Sequence, residues 1–271
     1  MSQITKAVIP CGGYATRFLP LTKSVPKEML PILDKPAIHY IVEELKDAGI
    51  KEVLFLIGRG REALQNYFDK NFELDRVLEN SGIDIDLNPF SDMKFFFRRV
   101  AVPKGPADNI YHAQEFVGDQ PFIVAYCDDV FFDGNPTKEL INDFVTCQTP
   151  VFVACRVDKG TEKNYGIVSL HDCDNNSCIA GRIVEKPQSN PPSNLAACGR
   201  YLLTKEIFKF IKEAKEISTD HVCMTAQLNK LAWKKRLRCV QTVATRFDTG
   251  NVLGWLAANN YMLGILTSKQ S

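Results

Sequence analysis

The sequence predicts an α/β fold: a mostly parallel sheet covered by helices on both faces. Three observations carry this. Short apolar runs alternate with amphipathic stretches through the first 155 residues. The strand candidates are apolar nearly throughout, as strands buried on both faces must be. A chain of 271 residues, 45% of them hydrophobic and 24% charged, can bury a sizeable core without cross-links.

In chain order, residues 4–9 form the first strand candidate, closed by Pro10. A long loop then runs to about Lys27. Pro36 opens a helix that puts Ile38, Ile41, Val42, Leu45 and Ala48 on one face. Gly49 stands where a helix C-terminus takes a left-handed residue. Residues 53–57 read as a strand and 62–68 as a helix, then 94–97 as a strand and 107–116 as a helix. Residues 122–126 are a buried strand ending in Cys127-Asp128-Asp129, followed by a helix over 137–145 and a strand over 151–157. Strand–helix–strand repetition of this kind builds parallel sheets, which bind ligands at the carboxyl ends of their strands. The second half is more mixed. Strands are predicted over 166–170, 179–184, 197–203 and 238–243, and helices over 205–212, 221–233 and 252–266. Residues 79–92 read as a polar, turn-like segment and 188–193 as a Pro-rich loop.

Lys and Arg number 33 and Asp and Glu 32, a net charge of +1. That balance gives no dense basic face for nucleic acid. The first six residues lack an apolar signal-peptide core, and no run approaches the ~20 apolar residues of a membrane span. None of the nine cysteines forms a C-x-x-C pair, and the closest two, Cys173 and Cys178, fit no common zinc spacing. Several, such as Cys155 and Cys239, sit in apolar runs. The expectation is reduced, mostly buried thiols in a cytoplasmic protein without a membrane or nucleic-acid partner.

Four clusters can carry chemistry. The loop after the first strand reads Pro10-Cys11-Gly12-Gly13-Tyr14-Ala15-Thr16-Arg17, with Lys23 and Lys27 beyond it. Two glycines let backbone approach a phosphate or a base, and Arg17, Lys23 and Lys27 add cations. The spacing matches neither Walker A nor the dinucleotide fingerprint. Asp128 and Asp129 end a buried strand and need a cation or a hydrogen-bond network. Asp248-Thr249-Gly250 follows another strand-like run. Glu185-Lys186-Pro187 ends the 179–184 run. Each cluster alone has a plain structural reading: a tight turn, a solvated strand end, a helix cap, a surface charge pair.

In this order, however, the clusters resemble the sugar nucleotidyltransferase signature, Gly-x-Gly-Thr-Arg followed by Pro-Lys. The string Pro26-Lys27-Glu28-Met29-Leu30-Pro31 with Asp34-Lys35-Pro36 resembles the bacterial UTP–glucose-1-phosphate uridylyltransferases in particular. So do Tyr67-Phe68-Asp69, Phe72-Glu73-Leu74, Val117-Gly118-Asp119, Tyr165-Gly166, Glu185-Lys186-Pro187, Ser193-Asn194-Leu195-Ala196, Gly199-Arg200-Tyr201 and Asp248-Thr249-Gly250. The resemblance covers nearly the whole chain. It implies one domain with a Rossmann-like core: a nucleotide-binding half over about 1–155, an inserted sugar-binding half over about 156–250, and a C-terminal helix over 251–271. It implies attack by a sugar 1-phosphate on the α-phosphorus of a nucleotide, with pyrophosphate leaving.

The same resemblance assigns roles. Cys11, Gly12, Gly13, Thr16, Glu28, Gly105 and Asp108 would line the nucleotide, with Glu28 on the base. Arg17 would hold the departing pyrophosphate, Lys27 the α-phosphate and Lys186 the sugar's phosphate. Gly166, Glu185 and His221 would meet the sugar. Asp128 and Asp248 would hold Mg²⁺. A homo-oligomer, dimer or tetramer, is implied as well. The apolar last helix, with Leu253, Trp255, Leu256, Tyr261, Met262 and Leu266, would supply its interface or else simply pack on the core.

The chain also departs from the pattern. Ala15 replaces the second glycine of the signature. Val100 stands where the uridylyltransferases place a base-reading glutamine. Gly105-Pro106-Ala107-Asp108-Asn109 replaces Gly-Leu-Gly-His-Ala, and His221 replaces an acid of the sugar side. The expected activity is uridylyl transfer from UTP to glucose 1-phosphate. The alternatives are the same chemistry with dTTP or another sugar, and a non-catalytic partner of a true uridylyltransferase. For His221 the plainer reading is a surface residue at a helix start.

Overall fold

The computed structural model describes residues 3–174, 176–218 and 220–268. The first two residues of the N-terminal segment and the last three of the predicted C-terminal helix lie outside them. In strand β1 (Lys6–Cys11), Ala7 and Ile9 face one side and Val8 the other, and all three are fully buried. A strand with both faces covered needs a continuous apolar run, which is what the sequence supplies.

The chain continues through a short ribbon, β2 (Pro31–Ile32) and β3 (Lys35–Pro36), into α1 (Ala37–Asp47) and β4 (Glu52–Ile57). Next come α2 (Glu62–Phe68), α3 (Phe72–Ser81), β5 (Lys94–Arg99), α4 (Pro106–Tyr111) and α5 (Gln114–Val117). Then follow β6 (Phe122–Ala125), β7 (Asp129–Phe132), α6 (Pro136–Cys147), β8 (Val151–Arg156), β9 (Gly166–Asp174), β10 (Ser177–Glu185) and β11 (Leu195–Leu203). The last elements are α7 (Glu206–Ile217), α8 (Met224–Ala232), β12 (Arg238–Gln241), β13 (Thr245–Asp248) and α9 (Val252–Ser268).

Nine strands form one sheet in the order β5-β4-β1-β6-β11-β8-β12-β10-β9. The β5-β4-β1-β6 half is parallel, as predicted. Beyond it, β11 runs antiparallel to β6 and β8, and β10 antiparallel to β12 and β9. Only those two strands run against the rest, so the sheet is mixed in pairing and mostly parallel in direction. Helices α1 and α6 cover one face with Ile38, Ile41, Leu45, Leu140 and Phe144. Helices α4, α7 and α8 cover the other with Ile110, Phe208, Ile211, Leu228 and Leu231.

Four expectations need correction. The helix predicted over 107–116 is two helices, because His112 and Ala113 donate to the carbonyls three residues back and tighten the turn between them. Residues 79–81 end a helix, α3, capped by the Asn71 side chain on Leu74 N at 3.0 Å and by left-handed Gly82. No residue of α3 is buried, and its Phe72, Leu74 and Val77 are exposed. The helix predicted from His221 begins at Met224. Cys173 and Cys178, expected as thiols, face each other across the β9–β10 hairpin and are disulfide-bonded.

One buried pair holds three elements at the end of β6. Arg200 of β11 has no exposed surface. Its guanidinium donates to both oxygens of Glu44 on α1 at 2.9–3.3 Å, and to the carbonyls of Tyr126, Gly199 and Asp129 at 2.9–3.3 Å. Glu44 also accepts from the Thr137 hydroxyl at 2.5 Å. Removing one partner of such a pair strands a charge in the interior. Arg200→Met is therefore expected to lose about 3–5 kcal/mol in urea denaturation, with Arg200→Lys intermediate.

Candidate active site

A doubly wound sheet opens its crevice at the carboxyl ends of the strands, where chain order reverses. Here the chain runs outward from β1 through β4 to β5, then returns to β6 on the other side of β1. Gly12, Gly58, Val100 and the Asp128 turn therefore gather at one edge.

The two-stranded pairing of β7 with β13 sets Asp129 opposite Asp248. Thr249, just past β13, donates its N–H and its hydroxyl to the Asp128 carbonyl at 2.8 and 3.0 Å. A methyl group built on Gly250 would lie 2.8 Å from Asp128 Oδ2 and 3.0 Å from Asp248 Oδ1. Two carboxylates thus face a common space that the absent side chain of Gly250 keeps open. Lys27 Nζ lies 2.5 Å from Asp128 Oδ2. Burial would raise the Asp128 carboxyl, but the Lys27 ammonium outweighs it and holds the group below the usual carboxylate range. Asp129 points elsewhere, accepting from Arg246 Nε at 2.5 Å and Gly199 N at 2.8 Å.

This donor set fits Mg²⁺, which takes one or two carboxylates and completes its shell with water and phosphate oxygens. Among the described residues no three His, Cys, Asp or Glu side chains form a closed metal cluster. The fit is therefore to an ion whose shell a substrate completes.

A cavity of about 670 Å³ lies between Gly12–Gly13, Gly58–Arg61 and Arg99–Val100, and another, of about 680 Å³, is lined by Asn164, Tyr165, Arg246, Asp248 and Asn251. The Cys11 thiol is buried, and burial and then the neighbouring Cys127 thiol push it up, so it is inert at neutral pH. Thr16 and Arg17 are exposed on the same loop. Two of the expected nucleotide-binding residues are buried beside cations. Glu28 has no exposed surface, and its Oε1 lies 2.6 Å from Arg61 Nε. Asp108 is 2% exposed and is held by Lys215 of α7 and by Lys104 N at 3.1 Å. Burial would raise the Asp108 carboxyl, but Lys215 and the Lys104 N–H keep it low. The Asp108 carboxylate therefore ties α4 to α7.

Gly105 has φ +100, and a methyl built on it would lie 2.8 Å from the Val222 carbonyl and 3.0 Å from the His221 ring. Val222 N donates to the Lys104 carbonyl at 2.7 Å, which staples the two segments together. His221 is exposed at the seam where these two segments meet. Gly166 pairs with Glu185 across β9 and β10. Thr225 of α8 donates to Glu185 Oε2 at 2.6 Å. Lys186 follows with a left-handed φ of 47, its N–H on the Tyr165 carbonyl at 2.9 Å. Gly166, Glu185 and Lys186 thus come together, with Thr225 added.

Residues 6–264 match the nucleotidyl transferase family. The chain belongs to that family. A putative UTP–glucose-1-phosphate uridylyltransferase of Methanocaldococcus jannaschii is 37% identical over 94% of this chain and 92% of its own. The UTP–glucose-1-phosphate uridylyltransferase of Staphylococcus haemolyticus is 37% identical over 94% of this chain and 91% of its own. A UDP-glucose pyrophosphorylase solved with UDP-glucose superposes with a TM-score of 0.85 at 32% identity, covering 97% of this chain and 99% of that one.

Sequence reasoning missed Arg61 in this nucleotidyltransferase, and gave no role to Thr225, Arg200 or Arg246. Arg61 follows the strand end at Gly58, so the rule that singled out Gly12 applies to it equally. Ala15, at the departure from the signature, has φ 50 and ψ 43, the left-handed region that alanine disfavours. Ala15→Gly is expected to stabilise the fold by up to about 1 kcal/mol in urea denaturation. Gly250→Ala puts a methyl between the two carboxylates. Its half-saturating Mg²⁺ concentration for pyrophosphate release is expected to rise about tenfold or more, with the thermal midpoint little changed.

Proposed function

We propose that this nucleotidyltransferase moves a uridylyl group from UTP to glucose 1-phosphate, giving UDP-glucose and pyrophosphate. The observation that carries the chemistry is the convergence of Lys27, Asp128 and Asp248 around the space at Gly250. The names and similarity of the relatives support the choice of substrates.

In this reading, the phosphate oxygen of glucose 1-phosphate attacks the α-phosphorus in line, the bond to the β-phosphate breaks, and pyrophosphate leaves. Such a transfer needs positioning and charge neutralisation more than covalent help. Lys27 meets the α-phosphate, where charge grows, and Arg17 the leaving pyrophosphate. Gly12, Gly13, Thr16 and Gly105 offer backbone and hydroxyl contacts to the nucleotide, with the Cys11 carbonyl anchoring the loop. Glu185 and Gly166 meet sugar hydroxyls, Lys186 the sugar's phosphate, and His221 closes the seam. Asp128 and Asp248 would hold Mg²⁺, which supplies neutralisation of the phosphate charge when bound.

The halves are divided at about residue 155, with the sugar side over about 156–250 and the helix over 251–271. The proposed partners are UTP, glucose 1-phosphate and further copies of the chain. Val252, Leu253, Leu256, Leu263 and Leu266 are exposed on α9, which suits a homo-oligomer interface. No helix of the described residues is long and apolar enough to cross a membrane. A cytoplasmic location follows from the proposed substrates. The Cys173–Cys178 bond removes the fully reduced thiols from that argument.

A second reading keeps the chemistry and changes the base or sugar. Its support is Val100, apolar and 4% exposed where a base-reading amide would stand, together with His221. Pyrophosphate release with glucose 1-phosphate and Mg²⁺, run with UTP, dTTP, CTP, GTP and ATP, decides between them. UTP is expected to be preferred, and Asp128→Asn and Asp248→Asn to lose about a hundredfold in kcat. Preference for another nucleotide selects the second reading. Silence with every nucleotide and with other sugar 1-phosphates sinks both.

A further inference from the structure

Arg61, in the lining of the cavity beside Gly12 and Gly13, holds the glycine loop. Its Nε donates to the Cys11 carbonyl at 3.0 Å and its Nη2 to the Gly13 carbonyl at 2.8 Å. Nη1 reaches back to the Arg59 and Gly60 carbonyls at 3.3 and 3.5 Å, closing its own turn. The counter-charge is Glu28, fully buried, with Oε1 2.6 Å from Nε. Neither Glu28 oxygen makes a hydrogen bond among the described residues, so the carboxylate is committed to Arg61 by charge alone. The two loops also touch directly: a methyl on Gly58 would lie 3.3 Å from the Gly12 carbonyl.

A trans peptide points its C=O and its N–H in opposite directions. The Cys11 carbonyl shares a peptide with the Gly12 N–H, and the Gly13 carbonyl with that of Tyr14. By holding both carbonyls, Arg61 fixes the two peptide planes and turns both N–H groups away from its own guanidinium. Among the described residues, the N–H groups of Gly12, Gly13 and Tyr14 donate to no protein acceptor. Two glycines alone would leave these planes free to rotate. Preset donors cost less order on binding.

We propose that Arg61 is a positioning residue for the nucleotide, fixing the donors of Gly12 and Tyr14 toward an acceptor oxygen of the bound nucleoside triphosphate, with Glu28 as its buried counter-ion. This rests on the nucleotidyl-transfer reading of the site. The side chain does not itself touch the reacting atoms.

The test compares wild type, Arg61→Met and Arg61→Lys by equilibrium binding of UTP, KM for each substrate, and thermal midpoint. Arg61→Met is expected to weaken UTP binding about tenfold or more while KM for glucose 1-phosphate stays within about twofold. Arg61→Lys, which keeps the charge beside Glu28 and one donor for a carbonyl, is expected to fall between. A lower thermal midpoint with UTP binding unchanged would reduce Arg61 to a structural residue and overturn the proposal. Should Arg61→Met fail to fold, unchanged UTP binding in Arg61→Lys overturns it equally. If wild type prefers another nucleotide, the comparison runs with that one. A wild type that binds none overturns the reading beneath it and this proposal too.

Discussion

The Arg200 guanidinium makes hydrogen bonds to Glu44 and to three carbonyls that surround the end of β6, with no surface left for water. Those carbonyls belong to Tyr126, Gly199 and Asp129, on either side of the turn that presents Asp128. Helix α1, strand β11 and the start of β7 are thereby fixed to one another around that turn. A buried ion pair adds little net stability when both partners are present, but its geometry admits few alternatives. Asp128 therefore stands on a rigid element, as a carboxylate that shares a cation must.

From that point the site assembles by pairing. The register of β7 with β13 brings Asp248 beside Asp128, and Arg246, two residues earlier, neutralises Asp129 so that it does not compete for the same space. Three adjacent acids are thus sorted by their neighbours. Two face the gap at Gly250, and one is locked to a guanidinium and a backbone N–H. The same logic recurs at Glu28 with Arg61 and at Asp108 with Lys215. Cations take up these acids, which leaves Lys23, Arg59 and Arg99 in the lining of the cavity beside the glycine loop. That lining suits a polyanion.

Two segments far apart in the chain meet through backbone. Gly105 must be glycine on two counts, its positive φ and the closeness of the Val222 carbonyl and the His221 ring. This contact joins the loop after β5 to the segment leading into α8, which also carries Thr225 to Glu185.

Much of this was legible in the order of residues. Continuous apolar runs between amphipathic stretches marked the parallel strands, Gly49 ended its helix as a left-handed residue, and the strand-end rule located Gly12 and Asp128. Helix α3 was missed although Phe72, Leu74, Val77 and Leu78 stand within it, and β7 was too short to show a period. The sequence by itself determined the layered sheet, the edge where the chemistry gathers, and the family, since these depend on local periodicity and on long ordered strings. Only the tertiary structure decided what each charged side chain does. An aspartate reads the same whether it faces a shared gap, an arginine or a lysine. The choice among them depends on partners about 100 or more residues away, as between Lys27 and Asp128, Lys215 and Asp108, and Arg200 and Glu44.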